Sequence, residues 1–221
     1  MKKNIIIAIV AFIGVQIQAQ QSLWEVSRFN KFIDKVNNGE TTLKYSDIEG
    51  TPYYNPKFLP ARLGDISTVI PIRYNSFTDG IEILSGADVY ELPKEDSYPK
   101  FTFEGSRETL VFVNTYNEFT GYFFELASGK NRLLKKVTTK FKPEIPASNH
   151  LIPAIPAKFE KQTPIYFIKT EKDVIKIPKN IKELLNFFPE NKDDINSFVK
   201  SNKIKLNQEV DLVKLVNFLN R

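Results

Sequence analysis

Between residues 67 and 92 the chain alternates. Ile70, Ile72 and Tyr74 are each separated by one residue of another kind, and a period of two predicts a strand with one face buried. Asp79-Gly80 follows, a dipeptide that closes two-residue hairpins because both central positions need φ > 0. A turn there sets Thr78 opposite Ile81 and Ser76 opposite Ile83. Ile70, Ile72, Tyr74, Ile81 and Ile83 then share one face of the sheet. Arg73, Asn75, Phe77, Glu82 and Leu84 share the other. Further on, residues 101–103 predict a short strand, and the nearly continuous apolar run 109–113 predicts one covered on both faces. Residues 122–126 and 132–141 flank Ser128-Gly129, a second tight turn. That register pairs Glu125 with Arg132, Phe124 with Leu133 and Phe123 with Leu134, matching charge with charge and apolar with apolar.

The period changes to 3.6 at both ends. Residues 22–38 predict a helix: Ser22 and Glu25 have capping-box spacing, and Phe29, Phe32, Ile33 and Val36 form one stripe, with Trp24, the only Trp, in the first turn. The tail predicts short amphipathic helices over 179–188, 192–201 and 208–219, with Asn191 and Asn207 as caps for the last two. Ile195, Phe198 and Val199 make one stripe; Leu212, Leu215, Val216 and Leu219 make another. Between these regions lie two proline-rich stretches. Residues 50–60 hold three prolines and the rings of Tyr53, Tyr54 and Phe58, either a binding edge or a loop tucked on the sheet. Residues 143–156 hold four prolines and read as a linker or edge segment. Beyond them, 165–168 and 174–177 predict two short strands joined at 170–173.

Composition alters this picture at three points. Lys2 and Lys3, an apolar run over 5–15 and a small residue at Ala19 have the layout of a secretory signal peptide, the run being short for a span of ~20 residues. The expected location is therefore the periplasm or outer membrane of a Gram-negative cell, with any membrane association running through a partner. Absence of Cys removes disulfides, thiol nucleophiles and Cys-ligated zinc, so an aromatic-rich core must hold the fold. Charge is split: 10 basic and 16 acidic residues fall in 20–129, but 19 basic and 10 acidic in 130–221. The basic half is either a solvated helical face or an interaction surface carrying Lys179, Lys182, Lys192, Lys200, Lys203 and Lys205. Export argues against nucleic acid and against reading the basic tail as a helix-turn-helix.

Chemistry is sparse. His150 is the single histidine and has no patterned Ser or Asp around it, so neither a triad nor a histidine metal shell is expected. Glu91, Glu95 and Asp96 cluster around Pro93 without the spacing of a calcium loop. No cofactor or metal is expected. A hydrolase acting on glycan through two facing carboxylates stays open, because such a pair can come from anywhere in the chain.

Gly50-Thr51-Pro52-Tyr53-Tyr54-Asn55, Ile72-Arg73-Tyr74-Asn75 with Asp79 and Glu82, and the tail over 195–219 together resemble a family of uncharacterised exported proteins from Bacteroidota. The resemblance spans most of the mature chain and implies an envelope location; it implies no activity. The expected fold is α+β, mainly β: an antiparallel sandwich or curved sheet with an N-terminal helix and a small C-terminal helical appendage. The expected layout is signal peptide 1–19, helix 20–40, β-domain 41–142, proline-rich linker 143–157 and strands plus helices 158–221. The expected role is a non-enzymatic binding or protein-interaction module for an envelope protein or glycan. The alternatives are the glycan hydrolase and a scaffold assembling through sheet edges.

Overall fold

The computed structural model describes residues 48–64, 68–94, 100–147 and 153–221. The signal peptide, the helix expected over 22–38, Glu95, Asp96 and His150 lie outside the described residues. Ten antiparallel strands form one sheet. They are β1 (Leu59–Leu63), β2 (Val69–Asn75), β3 (Gly80–Ser85), β4 (Asp88–Glu91), β5 (Lys100–Phe103), β6 (Thr109–Val113), β7 (Gly121–Ala127), β8 (Arg132–Lys136), β11 (Ile165–Lys169) and β12 (Val174–Lys176). Their order is β12-β11-β8-β7-β6-β5-β1-β2-β3-β4. A separate pair joins β9 (Thr139–Lys142) to β10 (Lys158–Lys161).

The sheet curls on itself. Tyr74 of β2 and Phe124 of β7 have ring centroids 6.0 Å apart, and Tyr74 and Tyr122 6.3 Å. Three strands separate β2 from β7, so in a flat sheet the two would stand roughly 19 Å apart at the usual strand spacing. The curl buries Ile72, Tyr74, Ile81, Phe101, Leu110, Tyr122 and Phe124 on its inner face. It is tied where the β2–β3 turn meets the start of β9: Thr139 N–H donates to Ser76 O at 3.0 Å, and the two hydroxyls lie 2.8 Å apart.

Both predicted hairpins form, with different registers. Asn75 pairs with Gly80, Tyr74 with Ile81 and Ile72 with Ile83. The turn is therefore residues 76–79 rather than a two-residue Asp79-Gly80 turn. Asn75 Oδ1 accepts the N–H groups of Phe77 and Thr78 at 3.1 Å each, and Asp79 alone of the Asp-Gly pair has positive φ, at 58°. Asn75 thus supplies a side-chain turn that competes with the Asp-Gly signal. In the second hairpin Phe124 pairs with Lys135 and Glu125 with Leu134, and a bulge near residues 125–127 absorbs the difference. The first slip is four residues and the second is two up to the bulge, so those side chains stay on their predicted faces. Past the bulge the shift is odd, and Ala127 comes opposite Leu133. Arg132 and Glu125 still form an ion pair, diagonally.

Three strands escaped the sequence pattern: β1, β4 and β10, the last pairing with β9. β4 is short and exposed. β1 contains Pro60, a residue that argues against an interior strand. Pro60 lies directly opposite Pro71 of β2, and Glu104 N–H donates to Pro60 O at 2.9 Å. Pro60 therefore turns its backbone polar side toward β5 and away from Pro71, and neither proline deprives the other of a ladder bond.

The segment expected as a separate 158–221 region extends the main sheet. β11 pairs with β8 over five residues, Ile165↔Lys136 to Lys169↔Arg132. Of the proline-rich 143–157 stretch, the described residues carry the β9–β10 pairing outward, through reciprocal bonds between Ile145 and Ile155 at 2.9 Å. Three helices follow: α1 (Ile181–Leu185), α2 (Lys192–Ser201) and α3 (Glu209–Leu219), with a 3-10 turn at Pro189–Asn191 between the first two. Leu184, Ile195, Leu212, Leu215 and Val216 pack on Leu133 and Ile168 of the sheet. The stripes are as predicted, but the caps are not. Asn180 caps α1, accepting Glu183 N–H at 2.9 Å, while neither α2 nor α3 has a side-chain cap bond.

Candidate functional site

The aromatic loop is part of the fold. Tyr54 lies 4.4 Å from the Phe124 ring, and its hydroxyl donates to Glu108 at 2.8 Å. Burial and that bond push the phenol well above its ordinary range. Tyr53 and Phe58 hold the Arg73 guanidinium against their rings, at 3.7 and 4.4 Å, and Glu82 binds the same guanidinium at 2.6 Å. A cation stacked on two rings and paired with a carboxylate locks the loop to β2. The space left beneath it, about 10 Å³, holds at most a water molecule. The tucked arrangement is the one adopted.

A buried polar cluster sits where the curl closes. Asp79 Oδ1 accepts from Tyr74 OH at 2.7 Å, and Asp79 Oδ2 pairs with Lys136 Nζ at 3.0 Å. Lys136 Nζ also donates to Tyr122 O at 3.0 Å. Gly121 is required here: its φ is +148°, and a Cβ would stand 1.7 Å from Asp79 Oδ2. Burial pushes the Lys136 ammonium down, with Asp79 opposing. Burial and then the Asp79 charge push the Tyr74 phenol well up. Such displacement marks catalytic groups when it faces a cleft. Neither Asp79 nor Lys136 lines any of the three cavities described here, so the cluster acts as a clamp between the two ends of the curl. The sequence assigned Asp79 to a turn and missed Lys136 altogether, because strand alternation carries no sign of a partner 57 residues away.

The lysines divide. All six predicted positions are exposed. Lys179 and Lys205 line one cleft of about 660 Å³ with Lys176, a third lysine that the sequence reading did not select; Lys182, Lys192, Lys200 and Lys203 do not line it. β12 and Pro178 carry Lys176 and Lys179 to the cleft. Lys205 comes from the α2–α3 connection, fixed by its N–H to Asp211 Oδ2 at 3.1 Å. The floor is Ile165, Tyr166, Ile177 and Leu206. Tyr166 is oriented by its bond to Glu209 at 2.9 Å, and Glu209 is held in turn by Lys135 at 2.8 Å. Burial raises Tyr166 first and the Glu209 bond adds to it, bringing it to about 12. Lys179 and Lys205 set positive charge beside this apolar floor, while Lys176 reaches its ammonium over the Phe119 ring at 5.4 Å. Such a cleft suits an anion with an apolar body.

A second recess of about 440 Å³ has Glu171, Asp173 and Glu190 among its walls. The carboxyls displaced from their ordinary range elsewhere, Glu160, Glu209 and Asp211, all move down, opposite to what a general acid needs. Among the described residues no group of acidic or histidine side chains could hold a metal ion. Both sheet edges carry features that oppose strand addition. β4 bears Asp88 and Glu91 ahead of Pro93; β12 is three residues long, with Lys176 ahead of Pro178. Among the described residues no helix is long and apolar enough to cross a membrane. No family model, curated protein or solved structure matches the chain.

Proposed function

We propose that this is an exported cell-envelope binding module that engages an acidic segment of a partner protein through the Lys176–Lys179–Lys205 cleft. The observation that carries the reading is that three exposed lysines, Lys176, Lys179 and Lys205, share one cleft with Ile165, Tyr166, Ile177 and Leu206. The charge split along the chain supports it, since the basic half builds this end of the molecule. Location rests on the signal-peptide layout and on the resemblance to exported proteins from Bacteroidota. The test is crosslinking of a tagged copy in its native envelope, wild type beside Lys176→Glu/Lys179→Glu/Lys205→Glu. A dominant partner lost in the triple variant supports the reading. A partner retained by it, or none in either, sinks it.

A further inference from the structure

The second recess lies at the opposite end of the β11–β12 hairpin and differs in chemistry from the basic cleft. Three turns meet there: the β7–β8 turn at Lys130 and Asn131, the β11–β12 turn at 170–173, and the α1–α2 connection at 187–191. Phe187 projects a large apolar face, 53% exposed, at its rim, although Phe188 beside it packs into the helical core. The backbone of both is fixed, Phe187 N–H donating to Leu184 O at 3.1 Å and Phe188 N–H to Leu185 O at 3.2 Å.

The opposite wall is equally set. Asn131 N–H donates to Asn220 Oδ1 at 2.7 Å, and Asn131 Nδ2 donates to Leu219 O at 3.0 Å. Asn220 Nδ2 returns a bond to Asn131 O at 2.8 Å. A Cβ on Gly129 would meet Asn220 at 2.6 Å, so this turn and the end of α3 are fitted to each other. A recess whose walls are held before a ligand arrives loses little on binding.

Charge decides the ligand class. Lys130 and Lys172 share the lining with Glu171, Asp173 and Glu190, so both signs are present and a strongly charged ligand meets repulsion whichever its sign. An exposed ring beside interspersed donors and acceptors suits a molecule with one apolar face and many hydroxyls. We infer that this recess is a binding site for a neutral oligosaccharide, with one sugar ring stacked on Phe187. The site is independent of the basic cleft and does not rest on the reading given for it.

Titration calorimetry of the full chain with cellohexaose, chitohexaose, maltohexaose and xylohexaose tests this, at low and high salt. At least one should bind, with affinity unchanged by salt. Phe187→Ala should weaken it about tenfold or more, and Glu190→Ala should weaken it with circular dichroism unchanged. Lys179→Glu/Lys205→Glu should bind as wild type, which separates this site from the basic cleft. Failure of all four sugars to bind, binding that survives Phe187→Ala, or binding lost in high salt overturns the inference.

Discussion

Asp79 holds together groups from distant parts of the chain. It supplies the single non-glycine positive φ of the first hairpin, accepts the Tyr74 hydroxyl and neutralises Lys136. Removing one partner of a buried ion pair leaves the other charged and desolvated, typically at a loss of about 3–5 kcal/mol. Asp79→Asn should therefore destabilise the protein by about 3 kcal/mol in urea titration. Lys136→Met should lose less, because Lys94 stands 3.6 Å from Asp79 and keeps the carboxylate partnered. The Asp79→Asn/Lys136→Met protein should be more stable than Asp79→Asn alone. Equal losses in both single variants, adding in the double, would mean that the clamp is not a pair. Arg73 illustrates the same limit of the sequence: alternation places it on the same face as Glu82, as found, but the register that sets the two opposite each other and the two rings that enclose the guanidinium came only with the structure.

The helical layer stands on a few contacts. Leu212 is wholly buried against the sheet, and Leu212→Ala should cost about 2–5 kcal/mol by the usual range for such cavities; a smaller loss in thermal or urea unfolding would mean that the layer is only loosely docked. The Lys135–Glu209–Tyr166 contact adds pH dependence. Burial of Glu209 works upward, but the hydrogen bonds from Lys135 and Tyr166, with the Lys135 charge, carry it below the ordinary carboxylate range. Its contribution is present above the unfolded value of about 4.3 and lost as pH falls through the lower folded value. Tyr166 behaves in the opposite sense. Raised to about 12, it contributes fully below the unfolded value of about 10 and loses that contribution as pH climbs through the folded one. The protection factor of the α3 amides, with the intrinsic pH dependence of exchange divided out, should be highest between these limits and fall beyond each, whereas Glu209→Gln should flatten the acid limb. The stripes of α2 and α3 were legible because helix burial follows a 3.6 period. Their boundaries were not. The expected caps Asn191 and Asn207 stand beside segments set by tertiary packing, and the cap bond falls to Asn180.

At the scale of the whole molecule, β11 and β12 complete the sheet, and the helices bury Leu133 on β8 as well as Ile168 on β11. A cut at residue 157 would therefore open β8 as a raw edge and expose Leu133. A fragment ending there should not unfold cooperatively, and the full chain should show one transition by both near-ultraviolet and far-ultraviolet circular dichroism. A fragment with its own sharp transition would restore the two-unit layout expected from the proline-rich stretch. The basic and acidic halves thus belong to one sheet, and its ends carry unlike charge.

The sequence by itself determined which side chains face together up to the bulge of β7, because a strand's period is two and even slips in register leave faces unchanged. It also determined the mainly β character, the amphipathic tail helices and the pool of exposed lysines. Tertiary structure alone decided the strand order, the curl that brings Tyr74 to Tyr122, the Asp79–Lys136 pair and the choice of Lys176, Lys179 and Lys205 as the lysines that share a cleft. The reason is one of range. Periodicity and turn chemistry act over a few residues, whereas these features join groups tens of residues apart, whose meeting depends on how the sheet bends and on what the helices leave uncovered.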